Sequence, residues 1–242
     1  MELLEREAEL DELIGAIDAA AAGGGRLVAI EGTAGIGKTQ LLAAAREHAA
    51  GAGLRVLAAR GTELERAFAY GVVRQLLEPV VARADATDRA WLLSGSAAHA
   101  EPVLTRPGSA GAGSSADAAF ALLHGLYWVT VNLAERTPLL IAVDDAHWSD
   151  APSLRWLAYV ANRLEGLPVA VVAATRPAAA DADAALADVL ADQATIAIRP
   201  RPLSKAAAAQ LASARLEHSA IERIGDAAHD ATGGNPLLLG EL

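Results

Sequence analysis

The feature that most constrains the fold of this chain is a glycine-rich loop near the N-terminus. Gly32-Thr-Ala-Gly-Ile-Gly-Lys38-Thr39 fits the pattern G-x-x-x-x-G-K-[ST]. The loop follows the β-prone run Arg26–Glu31 and precedes Gln40–Ala50, an alanine-rich run typical of a helix. Strand, loop and helix in this order predict a parallel α/β sheet with the loop at the carboxyl ends of its strands.

This loop suits a phosphate group. Glycines allow backbone N–H groups to close around phosphate oxygens, and the following helix adds the positive end of its dipole. We expect Lys38, exposed on the loop, to reach the β- and γ-phosphates, and the Thr39 hydroxyl to bind Mg²⁺. The other predicted nucleotide-binding residues of this region are Gly32, Ala34, Gly35, Ile36, Gly37 and Gln40. An ordinary glycine turn is the alternative.

Two carboxylates follow a second apolar run, Leu139–Val143. Because the carboxyl ends of parallel strands meet at one edge of a sheet, Asp144 and Asp145 should lie beside the glycine loop. Asp144 is predicted to hold Mg²⁺, and Asp145 to orient or deprotonate an attacking water. Aspartate is shorter than the glutamate common at this place in fast ATPases, which predicts slow hydrolysis. The alternative is that both aspartates only cap the end of the strand.

Four smaller signals follow the strands or mark helix ends. Arg176, after the apolar run Val169–Ala173, could contact the γ-phosphate as a sensor, although a solvated arginine is the alternative. His147 is interpreted as a packing or capping residue, because the six histidines form no metal-binding pattern. Asp150 precedes Ala-Pro-Ser and predicts a helix N-cap, and Gly233-Gly-Asn-Pro236 is typical of one helix ending and another beginning.

Two further apolar runs, Leu54–Ala59 and Thr195–Ile198, complete five predicted strands. None of the five alternates strictly, as expected of parallel strands buried on both faces. They predict an α/β three-layer sandwich over residues 1–200, with a helix over 3–22 and a helical insertion at about 62–136. Residues 201–242 are predicted to form a small, truncated helical lid. Residues 105–116 form a Gly/Ser-rich loop whose dinucleotide-like glycine pattern lacks a preceding strand.

Composition excludes several classes of protein. Thirty acidic and twenty basic residues give a net charge of −10, so attraction to nucleic acid or anionic lipid is not expected. A hydrophobic fraction of 53% excludes disorder, and the lack of cysteine excludes disulfides and thiolate metal sites. The uncharged run Ala118–Ala134 is too short and too polar for a membrane span. We therefore expect a cytoplasmic protein that contacts neither membrane nor nucleic acid directly.

Together these residues resemble the ATPase module of the STAND class of P-loop NTPases, which is ASCE/AAA+-like. The likeness is to the N-terminal region of the large ATP-binding LuxR-type transcriptional regulators of actinobacteria. The segments that carry it are Leu3–Leu10, Glu31–Thr39, Tyr70–Leu77, Leu122–Trp128, Val143–Asp150, Ala174–Pro177 and Gly233–Leu237. The family opening usually has glycine where this chain has Glu5.

The resemblance implies that Leu4 and Arg6 border the adenine of ATP or ADP, that Arg176 is the sensor, and that Pro236 contacts the base from the lid. It also implies a slow, Mg²⁺-dependent ATPase that acts as a switch in a longer regulator, whose helical repeats and helix-turn-helix are absent from this chain. Nucleotide-dependent self-association is a further expectation. The rival is a P-loop kinase or an ATPase motor, but segment 204–242 has only Arg215 and Arg223 where a kinase lid is rich in arginine.

Overall fold

A parallel sheet of five strands forms the centre of the computed structural model. The structure describes residues 3–105, 115–177, 184–191, 195–213 and 221–241. The strands are paired in the order β2-β3-β4-β1-β5, and all four pairings are parallel. Their bounds are β1 Arg26–Glu31, β2 Arg55–Arg60, β3 Leu139–Asp144, β4 Val169–Thr175 and β5 Thr195–Ile198. The predicted five-stranded parallel sheet is confirmed.

Eleven helices are found among the described residues, with short 3₁₀ turns over Glu63–Glu65, Gly95–Ala100 and Ala146–Trp148. Most of the predicted Gly/Ser-rich loop 105–116, with its dinucleotide-like pattern, lies outside the described residues. None of the described helices is long and apolar enough to cross a membrane. The helices are α1 Glu7–Ala21, α2 Lys38–Gly51, α3 Gly71–Arg83, α4 Ala86–Leu92, α5 Glu101–Thr105, α6 Ala116–Arg136, α7 Ala151–Ala161, α8 Ala184–Ala191, α9 Lys205–Ser213, α10 Ile221–Thr232 and α11 Pro236–Glu241.

The sheet is covered on both faces, which gives the predicted three layers. Helices α1 and α2 pack on one face, against alternate side chains such as Leu140 and Ala142 of β3. Helices α3, α6 and α7 pack on the other face, against Leu139, Ile141 and Val143 of the same strand. Every residue of β3 and β4 is buried, so these strands have no polar face to alternate with an apolar one.

The predicted N-terminal helix over 3–22 is wrong at its beginning, because α1 begins at Glu7. Glu5 has a φ of +54°, a left-handed conformation that a right-handed helix cannot contain. Residues 3–6 therefore form a separate segment. Its Leu4 packs against a small apolar cluster of the C-terminal helices, formed by Leu203, Ala207, Ala208, Ala228 and Leu239. Helices do follow β5 as expected, whereas a domain boundary at residue 200 stays a prediction.

The strand order determines which residues meet at the carboxyl edge of the sheet. Strand β4 lies between β1 and β3, and β2 lies beyond β3. At this edge Gly32 N–H donates to the Thr175 carbonyl at 3.2 Å, and Gly61 N–H donates to the Asp144 carbonyl at 2.9 Å. These bonds join the end of β1 to the end of β4 and the end of β2 to the end of β3, and the turns that leave these four strands lie at the same edge of the sheet.

One buried carboxylate connects the helical insertion to the helix that follows β3. Asp150 accepts a hydrogen bond from Ser153 N–H at 2.9 Å, so the predicted N-cap of α7 is confirmed. It also accepts from Tyr70 N–H at 2.7 Å and Val72 N–H at 3.3 Å, at the beginning of α3. Asp150 is 2% exposed, so these three donors have no water to replace it. The side chain therefore fixes α3 against α7.

Replacement of this carboxylate should destabilise the whole domain. Asp150→Ala removes one cap and leaves buried N–H groups without an acceptor, so we expect a loss of about 2–4 kcal/mol in the free energy of unfolding. Denaturant unfolding followed by circular dichroism measures it. Asp88→Ala is the matched control, because Asp88 is half exposed and its carboxylate pairs with Arg136 at the surface. Equal stability of the two variants would contradict this role of Asp150.

Candidate functional site

The loop between β1 and α2 has a backbone that requires glycine at several positions. Gly35 and Gly37 have φ values of +80° and +106°, in the region that L side chains rarely adopt. A Cβ on Gly32 would lie 2.7 Å from Cγ2 of Ile36. Gly37 immediately precedes α2, so the loop runs directly into the positive end of the helix dipole. Such a loop and helix N-terminus suit an anion.

Lys38 is buried rather than exposed on the loop, which corrects the prediction. Only 7% of the residue is exposed, and its Nζ donates to the carbonyls of Gly32 and Thr33, both at 2.8 Å. Burial lowers the pKa of the Lys38 ammonium, as does nearby Arg176, whereas the carboxylates of Asp145 and Asp144 raise it. The side chain follows the inside of the loop because those two carbonyls give its ammonium acceptors there.

Thr39 and Asp144 meet as the sequence predicts for a pair of Mg²⁺ ligands. The Thr39 hydroxyl donates to Oδ2 of Asp144 at 3.0 Å, and Oδ1 of Asp144 accepts from Asp145 N–H at 3.0 Å. A hydroxyl oxygen and a carboxylate oxygen therefore face the same point at the end of β3. Hard oxygen donors of this kind suit Mg²⁺, which takes only a few ligands from protein when phosphates supply others.

Asp145 is held by an arginine that the sequence analysis did not single out. Arg60, the last residue of β2, donates to Oδ2 of Asp145 from Nη2 at 2.8 Å and from Nε at 3.1 Å. These hydrogen bonds are the main cause that raises the pKa of Arg60. Asp145 itself has a φ of +48°, which turns the chain sharply after β3. Only the strand order, with β2 beside β3, brings Arg60 to this carboxylate.

Most of the predicted phosphate-side residues line one cavity of about 510 Å³, whereas Gly32, Ile36 and Asp144 are not part of its lining. The structure places Arg176, directly after β4, on this cavity together with Arg60 and Asp145. The C-terminal helix α11 closes another side of it. The full lining is Ala34, Gly35, Gly37, Lys38, Thr39, Gln40, Arg60, Asp145, Arg176, Pro236, Leu237, Gly240 and Glu241.

A second cavity and the partly buried His147 lie outside this lining. The cavity, of about 550 Å³ near Gly25 and Leu164, has no lysine and Glu165 as its one carboxylate, so it offers no comparable chemistry. His147 is partly buried, and neither ring nitrogen has a hydrogen-bond partner among the described residues. Burial is the main cause that lowers its pKa. The histidine therefore packs, as expected, but it does not cap a helix.

The three predicted adenine contacts, Leu4, Arg6 and Pro236, line one crevice with Gln40 at its edge. Arg6 is buried, and its guanidinium donates to the carbonyls of Arg201 at 2.7 Å, Glu5 at 2.8 Å and Ile36 at 3.3 Å. The crevice holds about 30 Å³, roughly the volume of one water molecule. The structure therefore brings these residues together, but a base could enter only if the crevice widened.

Glu5 connects the N-terminal segment to the C-terminal helices. Its carboxylate accepts hydrogen bonds from the backbone N–H of Ser204 at 2.8 Å and from the Ser204 hydroxyl. These bonds are the main cause that lowers the pKa of Glu5. Ser204 Oγ in turn accepts from Ala207 N–H at 3.2 Å at the beginning of α9. The hydrogen bonds that its carboxylate accepts from Ser204 thus hold Glu5 in a left-handed conformation.

The fold and the loop define a P-loop NTPase, and comparison with known proteins identifies its family. Residues 2–172 match the AAA ATPase domain family, which is most of the chain. The chain therefore belongs to the AAA ATPase domain family. A comparison with curated proteins finds no match.

Solved structures share this fold. The STAND protein with a tetratricopeptide repeat sensor from Pyrococcus horikoshii is 21% identical with a TM-score of 0.56. Cdc6p from Pyrobaculum aerophilum is 16% identical with a TM-score of 0.60, and the Orc1 protein of Aeropyrum pernix, solved in complex with DNA, is 18% identical with a TM-score of 0.54. Each comparison covers 98% of this chain but only 29%, 59% and 58% of the respective other chain. At these identities the likeness shows the fold alone.

The left-handed conformation of Glu5 makes a testable prediction about stability. Glu5→Ala and Glu5→Gly both lose the hydrogen bonds to Ser204, but only alanine keeps a Cβ at positive φ. We expect the glycine variant to be about 0.5–1 kcal/mol more stable than the alanine variant in thermal unfolding, the reverse of the usual order. An alanine variant as stable as the glycine variant would contradict the conformation.

The same carboxylate should give a pH-dependent contribution. The pKa of Glu5 is lowered in the folded state, so its contribution is present above the unfolded pKa of about 4.3 and is lost as pH falls through the lower folded pKa. The stability difference between the parent and Glu5→Gln should therefore be largest near neutral pH and should narrow below about pH 4. A difference that does not change with pH would show that the charge is not involved.

Proposed function

We propose that this chain is an ATP-binding switch module that hydrolyses ATP slowly and whose nucleotide state controls a larger transcriptional regulator. The observation that carries the proposal is the convergence of Lys38, Thr39, Asp144 and Asp145 at one edge of the sheet, in a member of the AAA ATPase domain family. Each of these side chains would have a different chemical role at a triphosphate.

Lys38 and the glycine loop would bind the β- and γ-phosphates. The Lys38 ammonium is already inside the loop, on two carbonyls, so much of its desolvation occurs on folding rather than on binding. When ATP binds, the ammonium would exchange these neutral carbonyl acceptors for charged phosphate oxygens, which make stronger hydrogen bonds. The loop N–H groups and the first turn of α2 add donors with no further reorganisation.

Thr39 and Asp144 would hold Mg²⁺, because their oxygens already meet at 3.0 Å. When bound, Mg²⁺ supplies neutralisation of the phosphate charge. Arg176 would act on the γ-phosphate from the end of β4, at the same cavity.

Asp145 would orient the attacking water. One of its carboxylate oxygens already accepts two hydrogen bonds from Arg60, so that oxygen is less available to position a water. A short, ion-paired carboxylate supports slow rather than rapid turnover, as expected of a switch. Such a module would depend on Mg²⁺ and would remain in the ATP-bound state long enough for other parts of the protein to respond to it.

The adenine would bind between the N-terminal segment and the C-terminal helices. Leu4, Arg6 and Pro236 border the crevice, and Gln40 lies where the crevice meets the phosphate cavity. Because the crevice is narrow, base binding would require movement of helices α9 to α11, which we therefore propose as a lid. This coupling of base, lid and phosphates would convert nucleotide state into a change of shape.

The proposal also includes the further domains that this module would control. The chain spans 29% of the Pyrococcus STAND protein, which has a tetratricopeptide repeat sensor. We propose a comparable arrangement, in which further domains of a cytoplasmic LuxR-type regulator respond to this module, with nucleotide-dependent self-association and without DNA contacts by this region.

The alternative is a P-loop kinase or an ATPase motor that acts on a separate substrate. Phosphate transfer from ATP to an added small acceptor, rather than to water, would favour that alternative.

The two lysines of the chain provide a matched test of nucleotide binding. Lys38→Ala should weaken Mg-ATP binding by about 30-fold or more, because it removes a buried positive charge at the phosphates. Lys205→Ala should bind as the parent does, since Lys205 is exposed and pairs with Asp226 and Asp230. Equilibrium dialysis measures both affinities, and circular dichroism confirms folding. Binding by Lys38→Ala equal to that of Lys205→Ala would refute the phosphate assignment.

The two aspartates should separate in kinetics. Asp145→Asn should lower kcat for ATP hydrolysis by about 100-fold with little change in affinity, because the group acts on water in the transition state. Asp144→Asn should instead weaken the Mg²⁺-dependent part of ATP binding. Phosphate release at saturating ATP, and ATP affinity with and without Mg²⁺, distinguish the variants. Equal losses of affinity in both would contradict the division of roles.

A further inference from the structure

A single side chain amide bridges the glycine loop and the last helix. Asn235 lies between α10 and α11, directly after Gly233 and Gly234, which have φ values of +60° and +73°. Its Oδ1 accepts from Leu237 N–H at 3.0 Å and so caps α11. Its Nδ2 donates to the carbonyl of Ala34 at 2.9 Å, 201 residues away in sequence. If the amide were rotated by 180°, Oδ1 would face the carbonyl oxygen of Ala34, so the hydrogen-bond partners determine the orientation of the amide.

A second contact joins the same two segments through backbone atoms. Leu237 N–H also donates to the carbonyl of Gly35, at 3.2 Å. A Cβ on Gly35 would lie 2.5 Å from Oδ1 of Asn235 and 2.7 Å from Cβ of Leu237. Gly35 therefore lacks a side chain for two reasons, its positive φ and the close approach of α11. The helix can take this position only against a loop that has this shape.

These contacts determine where the loop N–H groups point. In a planar trans peptide the C=O and N–H bonds point in opposite directions. The carbonyl of Ala34 belongs to the same peptide unit as Gly35 N–H, and the carbonyl of Gly35 to the same unit as Ile36 N–H. When Asn235 and Leu237 hold these carbonyls, both N–H groups point away from α11, and Ile36 N–H makes only a long hydrogen bond of 3.5 Å, to the Thr33 carbonyl. Donors aligned before an anion arrives bind it more tightly than donors that must be reoriented.

We propose that Asn235 is a positioning residue for the phosphates, which aligns the N–H groups of Gly35 and Ile36 and thereby couples the docking of α11 to nucleotide affinity. This inference rests on the proposed nucleotide binding, and it assigns to Asn235 a role beyond helix capping. Because coupling free energies are reciprocal, a nucleotide that binds more tightly to the docked state also stabilises α11 in that state by the same factor.

Asn235→Ser separates the two roles of the amide. Serine is a good N-cap, so the acceptor for Leu237 N–H is kept, but its short side chain has no amide to reach Ala34. Asn162→Ser is the matched control, since Asn162 is exposed at the end of α7, away from the loop. For each protein we would measure the affinity for Mg-ADP by titration and the melting temperature without nucleotide.

The inference predicts that Asn235→Ser binds Mg-ADP about 5- to 10-fold more weakly than the parent, while its melting temperature without nucleotide is unchanged. Amide hydrogen exchange in residues 236–241 should be slowed by Mg-ADP in the parent and in Asn162→Ser, and less so in Asn235→Ser. Affinity within twofold of the parent would overturn the inference. So would a loss of affinity that is matched by a lower melting temperature, which would indicate a structural cap only. If the parent itself does not bind Mg-ADP, the proposed function fails and this inference fails with it.

Discussion

The candidate site depends on one backbone constraint, the sharp passage from β1 into α2 through residues 32–37. Two glycines in left-handed conformations let the chain turn within a few residues, so the first N–H groups of α2 open towards the carboxyl edge of the sheet. The same turn encloses Lys38, whose ammonium is buried on the carbonyls of its own loop. The side chains that line the phosphate cavity face this turn.

Strand order then decides which side chains face it. Strand β4 separates β1 from β3, so Arg176 comes to the middle of the edge while Asp144 and Asp145 come to its far side. Strand β2 beyond them contributes Arg60. Three basic groups, Lys38, Arg60 and Arg176, thus line the same cavity as Asp145. This arrangement suits a polyanion together with a divalent cation better than it suits either one alone.

The chain ends meet at the opposite side of the same loop. Glu5 binds Ser204 at the beginning of α9, Arg6 binds the carbonyl of Arg201, and Asn235 binds the carbonyl of Ala34. Leu4 completes the small apolar cluster of the C-terminal helices. The N-terminal segment, the loop and the helices after β5 therefore act on one another directly, with no other element between them. In our account this is where nucleotide state becomes a change of shape.

Sequence reasoning could predict the strands and the loop, because buried parallel strands appear as uninterrupted apolar runs and the loop has a fixed spacing. It could not predict Arg60, since the neighbour of Asp145 depends on strand order, nor the burial of Lys38, since Gly32 and Thr33 accept from it through backbone atoms. The helix expected over residues 3–22 begins only at Glu7, because Glu5 has a left-handed backbone conformation. The spacing of apolar residues gives no information about that conformation. Asp150 was predictable as a cap but not as an acceptor for α3, which lies 80 residues away.

Isothermal titration of the parent chain with ATP and with ADP, each with and without Mg²⁺, tests the central claim most directly. The account predicts one nucleotide per chain and tighter ATP binding when Mg²⁺ is present, because Thr39 and Asp144 offer it two oxygens beside the phosphates. Absence of binding by either nucleotide under all four conditions would contradict the account. ATP affinity unaffected by Mg²⁺ would contradict the role assigned to those two residues.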